Sequence, residues 1–419
     1  MTNQRGLSGA GLGINFRSLA FAAALLCVLT MVTMQSTQAQ TLTVLHTFTG
    51  GIDSGFPESG VILDRDGNLY GTTFGLINSG VYELMRRDSS WIFKPLYNFQ
   101  TRLDGLGPEA DVVFGPDGAL YGTTFLGGYT CNGVSNYCGT VFSLRPSPDT
   151  CRDAFCPWNE THVYRFGTSL NDGYHPNGPL VFDSAGNIYG TTAIGGLYNG
   201  GTAFQLFRTQ NGWVEKIIHH FPRGLGEPSS GLTFDAEGNL FGGAAQTGYG
   251  RVYELVHNGQ EWNERTIYVF PGSNVGEATG LIFDAAGNAY GATSGIGNYQ
   301  AGIVYQLTPQ ADGTWRETDL HVFDFNTNGP LSNMAMDGAG NLYGTTEGTP
   351  GNNNDKWGMV FELSPVNGSW TFSQLHHFTN GADGGSPVGG VTLDSAGNLF
   401  GTCVQGGAYS EGTIWEITP

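Results

Sequence analysis

The octapeptide DRDGNLYG at residues 64–71 returns six more times along this chain with small changes. The copies are GPDGALYG at 115–122, DSAGNIYG at 183–190, DAEGNLFG at 235–242, DAAGNAYG at 284–291, DGAGNLYG at 337–344 and DSAGNLFG at 394–401. Successive copies begin 51, 68, 52, 49, 53 and 57 residues apart. A period of about 50 residues, with turn-forming residues in every unit, predicts a β-propeller rather than a helical solenoid.

Each unit divides into four short apolar runs, which predict four strands joined as a meander. The first run precedes the octapeptide and the second is its tail, as in GVILD at 60–64 and NLYGTT at 68–73. A glycine-rich loop leads to the third run, such as VYEL at 252–255, and the fourth follows it. Within the octapeptide, the Asp is expected to cap a hairpin turn, the Gly to be left-handed and the Asn to tolerate unusual dihedral angles.

A pair of aromatic residues marks the fourth run in six units, always eight residues apart. The pairs are Trp91 and Phe99, Trp158 and Phe166, Trp213 and Phe221, Trp262 and Phe270, Trp315 and Phe323, and Trp370 and Phe378. Because side chains alternate along a strand, this even spacing predicts that both rings lie on one face. His or Tyr precedes each Phe by two residues, so the histidines there share one structural position and are not expected to be catalytic. They are His46, His219, His321 and His376.

The seventh unit has no fourth run, since the chain ends soon after residues 413–417. The missing run is found at the other end, where TVLHTF at 43–48 matches the ending LHHF at 375–378. We therefore expect the N-terminal strand to complete the last blade and remove a free sheet edge. The predicted fold is all-β, a seven-bladed propeller of four-stranded antiparallel blades over residues 40–419.

Residues 1–39 have the order of a secretory signal peptide. Arg5 and Arg17 come first, an apolar run follows at 18–34, and small residues lead to Ala39, after which we expect cleavage. An uncleaved anchor stays the alternative, although a run of 17 residues is at the short limit for a spanning helix. The mature chain is expected to be a monomer without a membrane span, either secreted, periplasmic or at the cell surface. Its formal charge of −19 disfavours nucleic acid as a partner.

Export permits disulfide bonds, and four cysteines occur in an insertion of blade 2 at about residues 126–158. They are Cys131, Cys138, Cys151 and Cys156. The simplest prediction is two bridges between sequence neighbours, but four cysteines allow three pairings. Cys403 stands where other units have Thr, which predicts a small buried thiol. Neither the cysteine spacing nor the irregular acids of the octapeptides match a metal site, so no metal or cofactor is expected.

The combination of FDxxGNLYGTT, a glycine-rich loop, a VYEL strand and an LxxF ending resembles the GloVer (Gloeo/Verruco) tandem repeat of exported bacterial proteins. The resemblance covers residues 41–419 and implies export and repeats, without a defined activity. More distantly, the phrase PxGLxFDxxGNLY is similar to NHL, gluconolactonase-like and streptogramin-lyase-like propellers. Those groups include enzymes, but their metal and catalytic residues have no matching motif in this sequence, so none is transferred.

The candidate binding residues follow from the placement of loops in a meander propeller. Loops that lead into a first strand share one face with the loops between second and third strands, and loops on a rigid scaffold commonly carry binding residues. The aromatic candidates in these loops are Tyr129, Tyr198, Tyr249, Tyr299, Trp357 and Tyr409. The acidic candidates are Asp172, Glu227, Glu277 and Asp383. Rings beside carboxylates suit neutral sugars, whereas rings that only pack their own loops are the alternative.

Three classes of function stay open at this point. The first is an exported binding or surface-interaction module whose partner is a glycan or another cell-surface molecule. The second is a propeller lyase or hydrolase acting on a polysaccharide or a lactone-like substrate, with His175 as the candidate general base. The third is a structural envelope protein. The sequence has no nucleophile elbow, phosphate-binding loop, dinucleotide fingerprint or zinc-protease motif, which favours the non-enzymatic classes.

Overall fold

A computed structural model describes residues 40–419 apart from several short segments. The gaps are residues 76–77, 89, 129–137, 148–157, 225–226, 247–248, 260, 272–275, 296–301, 324–328 and 349–355. The described residues form seven antiparallel sheets, one for each octapeptide, arranged as the blades of a ring. The prediction of a seven-bladed propeller is confirmed.

Strands are numbered along the chain, and each blade is built from neighbours in sequence. Blade 1 contains β2 (Ile62–Leu63), β3 (Leu69–Thr73), β4 (Ser79–Arg87) and β5 (Ser90–Phe99). Blade 2 contains β6 (Val113–Phe114), β7 (Leu120–Thr124), β8 (Thr140–Pro146) and β9 (Trp158–Arg165). Blade 3 contains β10 (Gly173–Pro176), β11 (Val181–Phe182), β12 (Ile188–Gly195), β13 (Asn199–Thr209) and β14 (Gly212–Pro222), where β10 and β11 both pair with β12.

The remaining blades follow the same order. Blade 4 contains β15 (Glu227–Phe234), β16 (Leu240–Gln246), β17 (Tyr249–Asn258) and β18 (Glu261–Val269). Blade 5 contains β19 (Ile282–Phe283), β20 (Ala289–Ala292), β21 (Ile303–Pro309) and β22 (Trp315–Val322). Blade 6 contains β23 (Ala335–Met336), β24 (Leu342–Thr346), β25 (Met359–Val366) and β26 (Ser369–His377). Blade 7 contains β27 (Thr392–Leu393), β28 (Leu399–Cys403), β29 (Thr413–Thr418) and β1 (Thr41–Thr47).

The N-terminal strand β1 is the outer strand of blade 7. It pairs antiparallel with β29, from Thr41 opposite Thr418 to Thr47 opposite Thr413. Phe48, which follows β1, is fully buried between blades 7 and 1. The two ends of the chain therefore close the ring as predicted.

The octapeptide forms the turn between the first and second strands. In blade 1, Asp64 Oδ1 accepts hydrogen bonds from the backbone N–H groups of Asp66 and Asn68, at 2.8 and 2.9 Å. Gly67 has a φ of +81°, as the turn requires. The Asn is used differently from the prediction, because its side chain donates to Asp64 Oδ2 and accepts from the backbone N–H of Arg86 on the third strand. The Asn thus ties the turn to its blade.

The prediction that Trp and Phe of a fourth strand lie on one face is wrong. In blade 1, Trp91 packs into the core shared with blade 7, whereas Phe99 packs into the core shared with blade 2. The pairing of β4 with β5 shifts between Val81 and Tyr82, and this β-bulge leaves Leu96 opposite no residue. One extra residue reverses the alternation of side chains, so an even spacing places the two rings on opposite faces.

Contacts between neighbouring blades explain the shared His or Tyr position of the outer strands. The hydroxyl of Tyr164 lies 2.9 Å from Glu215 Oε2 of the next blade, and His219 Nε2 lies 3.3 Å from Glu264 Oε2. Where the next blade has Phe in place of Glu, the imidazole stacks on the ring, as His321 does on Phe372 at 4.0 Å between centroids. The position therefore joins adjacent blades.

Threonine hydroxyls of the second strands hold the inner parts of the blades together. Thr72 Oγ1 donates to the carbonyl oxygen of Pro108 in blade 2 at 3.0 Å, and Thr402 Oγ1 donates to that of Ser59 in blade 1 at 2.6 Å. Thr191 and Ser230 form the equivalent bond between blades 3 and 4. The threonines that follow the octapeptide thus bond one blade to the next and position the residues around the axis.

The sequence predictions for the signal peptide and the insertion fall largely on residues that are not described. Cys138 is buried, but Cys131, Cys151 and Cys156 lie outside the described residues, so the two bridges stay a prediction. Residues 1–39 also lie outside them. Among the described residues, no helix is long and apolar enough to cross a bilayer. Cys403 is a buried free cysteine, as expected.

Candidate functional site

A cavity of about 150 Å³ lies at the centre of the ring, where all seven blades meet. Every blade contributes two or three consecutive residues, which precede the inner strand in six blades and lie within β15 in blade 4. The cavity is therefore lined by equivalent positions of the repeat. Sequence reasoning placed the candidate site on the surrounding loops and named none of these residues.

Many of the lining residues are small because the backbones approach each other closely at the axis. A Cβ on Gly60 would lie 3.0 Å from the carbonyl oxygen of Gly390 in blade 7. A Cβ on Gly178 would lie only 2.3 Å from the backbone nitrogen of Gly231 in blade 4. The fold itself therefore requires these glycines.

The first lining position of each blade has no such requirement, and it differs from blade to blade. In chain order the residues at this position are Glu58, Glu109, Asn177, Ser229, Ala278, Leu331 and Val388, and all of them except Ala278 line the cavity. Two glutamates of adjacent blades therefore share the cavity wall with the apolar side chains of Leu331 and Val388, which come from blades 6 and 7 on the other side of blade 1. This asymmetry is not a property of the repeat, so it carries information about function.

A third carboxyl group, that of Asp111, joins the two glutamates. Its Oδ1 accepts a hydrogen bond from the backbone N–H of Gly60 at 2.7 Å, which links blade 2 to blade 1. Burial raises the pKa of Asp111, and the bond from Gly60 opposes that shift. Asp111 therefore has a structural partner in addition to its place in the cavity wall.

The two glutamates are poised to hold a proton near neutral pH. Burial raises the pKa of Glu109 to about 7, and the charge of Glu58 adds to the shift. Burial also raises the pKa of Glu58. Two carboxyl groups that share a site and differ in protonation can provide both a hydrogen-bond donor and an acceptor. In the described part of the chain, no group of three or more His, Cys, Asp or Glu side chains is placed to hold a metal ion.

The predicted aromatic residues are arranged less uniformly than expected. Tyr198 and Tyr409 lie on loops between second and third strands and are 57 and 62% exposed, and Tyr249, the first residue of β17, is 39% exposed. Trp357 is half-buried against the core between blades 6 and 7, and Lys356 Nζ lies 4.8 Å from its ring centroid. Tyr129 and Tyr299 lie outside the described residues.

Two of the four predicted acids cap their own loops. Asp172 Oδ2 accepts hydrogen bonds from the Tyr164 hydroxyl at 3.0 Å and from the backbone N–H of Gly167 at 2.8 Å. Asp383 Oδ2 contacts His376 Nε2 at 3.1 Å and accepts from the backbone N–H of Thr379 at 3.0 Å. Both carboxylates bind groups at the end of an outer strand, so these contacts explain their presence without a ligand.

The other two predicted acids, Glu227 and Glu277, belong to loops of adjacent blades. Glu227 Oε1 accepts the backbone N–H of Gly224 at 3.2 Å. Burial raises the pKa of Glu277, and the charge of Glu227 contributes to the shift, so the two carboxyl groups lie near each other. Unlike Asp172 and Asp383, these two carboxyl groups do not cap the end of an outer strand.

His175 is placed away from the wall of the central cavity. Its ring stacks on Phe125 of blade 2, with 4.4 Å between the centroids, and its φ is +60°. Its backbone N–H donates to the carbonyl oxygen of Cys138 at 2.8 Å. Asn177 and the two residues after it form the cavity wall in this blade instead. The histidine joins blades 2 and 3, and the site has no histidine beside its carboxyl groups among the lining residues.

A comparison of the repeat units would have revealed the carboxyl groups of the central cavity. The fragments PESG at 57–60 and PEAD at 108–111 carry a Glu where the other units have Asn, Ser, Ala, Leu or Val. The signal in the sequence is that these two units depart from the other units at this position.

The profile of the Gloeobacter/Verrucomicrobia repeat matches residues 30–248 and 228–419. The chain belongs to this repeat family. That result confirms the resemblance drawn from the octapeptide and its neighbours. Among curated proteins, none matches the sequence significantly.

Solved structures similar to this repeat protein are propellers of low sequence identity. The periplasmic gluconolactonase PpgL of Pseudomonas aeruginosa has a TM-score of 0.54 at 16% identity, covering 84% of this chain and 95% of its own. A protein from Lactobacillus plantarum has a TM-score of 0.53 at 12% identity, covering 80% and 86%. At such identities the similarity shows the fold alone.

Proposed function

We propose that the protein is a binding module that holds one small, hydroxyl-rich ligand of the sugar type in the central cavity. The observation that supports it most is the pair Glu58 and Glu109, which the fold does not require and which two adjacent blades place at equivalent positions. Carboxyl groups at a partly desolvated site accept strong hydrogen bonds from ligand hydroxyls.

The size and polarity of the cavity agree with such a ligand. A cavity of about 150 Å³ accommodates a six-membered ring, since an apolar cavity of that size binds benzene. Here Glu58, Glu109 and Asn177 provide polar groups on one side, and Leu331 and Val388 provide apolar contact on the other. A sugar ring has the matching combination of hydroxyl groups and C–H faces.

The exposed rings extend the proposed site for longer ligands. Tyr198, Tyr249 and Tyr409 lie at the end of the blades where the inner strands begin, which is also the end that carries the cavity residues. Each ring stacked on a sugar contributes about 1 kcal/mol beyond the area it buries. In this proposal the cavity binds a terminal sugar and the rings contact the units that follow.

Export belongs to the same proposal, because a glycan partner would be met outside the cytoplasm. The apolar run at residues 18–34 and the small residues that end at Ala39 support it. N-terminal sequencing of the protein recovered from the medium and from the periplasm is the test. A mature chain that still begins at Met1 in both fractions would contradict cleavage.

Binding is best tested by isothermal titration of monosaccharides chosen from a glycan-array screen of the mature protein. At pH 8.5, where Glu109 is ionised, we expect Glu109→Gln to weaken binding about tenfold or more, because a hydrogen bond to a charged group is lost. Glu347→Gln is the matched control, since burial raises the pKa of Glu347 as well but it lies outside the cavity. Tyr249→Ala should weaken only the binding of oligosaccharides. Equal affinities of Glu109→Gln and the parent protein would refute the site.

A second candidate is hydrolysis of a sugar lactone in the same cavity. The supporting observations are the pKa of Glu109, about 7, and the fold similarity to a periplasmic gluconolactonase. One carboxylate would accept a proton from a water molecule that attacks the lactone carbonyl, and the protonated partner would donate to the ring oxygen as its bond to carbon breaks. The product is the open hydroxy acid, and solvent restores the proton distribution.

The two candidates differ in turnover. Acid release from glucono-1,5-lactone, measured above the spontaneous rate, should be lost in both Glu58→Gln and Glu109→Gln if the site is hydrolytic. If a lactone or sugar binds and no acid is released above the spontaneous rate, the hydrolase is excluded and the binding function is retained.

A further inference from the structure

A larger cavity, of about 540 Å³, lies between blades 4 and 5 on the face that carries the octapeptide turns. The turns that begin at Asp235 and Asp284 form two walls, and Trp315 of blade 5 forms a third. Sites for small ligands usually have volumes of about 300–1,000 Å³. The cavity shares no residue with the central one, so it is a separate candidate site.

One cause of this cavity is a departure from the repeat at Phe241. In blades 1, 3, 5 and 6 a tyrosine at the equivalent position donates its hydroxyl to the octapeptide Asp at 3.0 to 3.2 Å. Phe241 has no hydroxyl, so within the described residues Asp235 Oδ2 accepts from the Asn239 side chain alone, at 2.9 Å. The space of the hydroxyl stays open, and the carboxylate has lost a donor.

A second difference among the blades concerns the ring of Trp315. Equivalent rings in blades 1 and 3 are covered by a cation of the same blade, with Arg86 at 5.7 Å from the Trp91 centroid and Arg208 at 5.1 Å from that of Trp213. In blade 4 the imidazole of His257 stacks on the equivalent tryptophan at 4.5 Å.

Blade 5 has Pro309 at the position of these cationic or imidazole side chains, and the proline lines the cavity. Blades 2 and 6 also have a proline there, Pro146 and Pro365, but each of these blades adjoins a repeat tyrosine, Tyr70 or Tyr290, where blade 5 adjoins Phe241. Over the described range of the chain, no cationic side chain lies above Trp315. The indole of this blade therefore lacks the cover that three other blades supply.

The interface of blades 7 and 1 shows how the same geometry is filled from within the protein. It also has Phe in place of the repeat tyrosine, at Phe400, and its cavity of about 350 Å³ is lined by Arg86, Trp91 and Glu416. Arg86 lies over the ring of Trp91, and its charge opposes the rise in the pKa of Glu416 that burial causes. A guanidinium group thus sits between an indole and a carboxylate.

The cavity between blades 4 and 5 has the indole and the carboxylates without that cation. Glu254, the equivalent of Glu416, is paired from behind with Arg265, whose Nε donates to Glu254 Oε2 at 2.8 Å. The other acidic groups in the wall are Asp235, Glu237 and Asp284, and Arg265 is the cavity's basic residue among those described. After Glu254 and Arg265 neutralise each other, the wall keeps three negative charges.

We propose that the cavity between blades 4 and 5 binds a guanidinium or ammonium group, placed over Trp315 as Arg86 is placed over Trp91. A cation over the face of an indole is attracted by the ring quadrupole, and the surrounding carboxylates add to that attraction. The ligand chemistry is that of an arginine or lysine side chain or of a small free amine.

The test is a titration with N-acetyl-arginine amide, followed by NMR of the ¹⁵N-labelled indole N–H signals, with Trp315→Phe to assign the signal. The neutral isostere N-acetyl-citrulline amide should bind at least about tenfold more weakly, because only the charge differs. Agmatine distinguishes the source, since tighter binding of agmatine indicates a free amine and tighter binding of the amino-acid amide indicates a peptide.

Two variants that introduce side chains found at the same positions of other blades should block the site. Pro309→Arg introduces the cation that blades 1 and 3 carry and should reduce the affinity for N-acetyl-arginine amide about tenfold or more. Phe241→Tyr restores the missing hydroxyl and should reduce it as well. Pro365→Arg is the matched control in blade 6, where Tyr290 of blade 5 retains its hydroxyl, and should leave binding unchanged. Equal binding of the arginine and citrulline compounds, or full binding to Pro309→Arg, would overturn the proposal.

Discussion

Replacement of Phe48 by Ala is the sharpest test of how the ring closes. Phe48 follows β1 and is 0% exposed, and its ring contacts those of Tyr82 and Phe93, with centroids 5.6 and 5.7 Å apart. Both partners belong to blade 1, so the residue anchors the N-terminal strand between the last and first blades. Truncation of a buried Phe costs about 3–5 kcal/mol, because contacts are lost and a cavity remains.

The expected change in melting temperature follows from the size of the propeller. An unfolding entropy of about 2.1 cal/mol/K per residue gives roughly 0.8 kcal/mol/K for Thr41–Thr418. A loss of about 4 kcal/mol then lowers the melting temperature by about 5 °C if unfolding is two-state. Circular dichroism during heating and during urea titration would measure both quantities.

The matched control is Ile52→Ala, four residues further along the same segment. Ile52 is 82% exposed, so we expect a change within about 0.5 kcal/mol. Phe166→Ala offers the equivalent substitution directly after an ordinary outer strand and should cost as much as Phe48→Ala. A Phe48→Ala melting curve that matches that of Ile52→Ala would show that β1 is not docked in solution.

Three further predictions concern closure, protonation and oxidation. Deletion of Thr41–Thr47 exposes the edge of β29, so light scattering during chromatography should show association, whereas a monomer with unchanged melting would contradict it. Since burial raises the pKa of Glu109 from its usual value to about 7, its neutral form is favoured by folding, and its contribution to stability is lost as the pH rises through 7. Glu109→Gln should therefore gain up to about 3 kcal/mol over the parent between pH 4 and pH 8 in urea titrations, and an equal difference at both pH values would contradict this prediction. Alkylation of the denatured, unreduced mature protein should modify Cys403 alone, and four further modified thiols would end the prediction for Cys131, Cys138, Cys151 and Cys156.

The number of blades and the closure of the ring could be predicted because they depend on local and repeated features. Each octapeptide forms its turn with its own Asp and Gly, and the match between residues 43–48 and 375–378 shows where the first strand belongs. Cys403 was also predictable, because its position is defined by equivalent threonines in other units. Such features can be predicted without knowing how the strands pair.

The face of each ring could not be predicted, because it depends on a bulge. Leu96 is an ordinary apolar residue of β5, and only the pairing with β4 shows that it has no partner. The capping role of Asp172 and Asp383 likewise depends on the end of an outer strand meeting the next loop. Spacing alone does not specify these contacts.

By itself, the sequence determined a propeller of seven blades, its direction of closure and its repeat family. The tertiary structure decided which side chains share a site, because residues 51 positions apart, such as Glu58 and Glu109, come together only at the axis of the ring. It also decided that Phe241, which replaces the repeat tyrosine, and Pro309, a proline that blades 2 and 6 share, line one cavity, since they belong to adjacent blades. The physical reason is that a repeat encodes its own turns and strands, whereas a site is formed where different copies of the repeat meet.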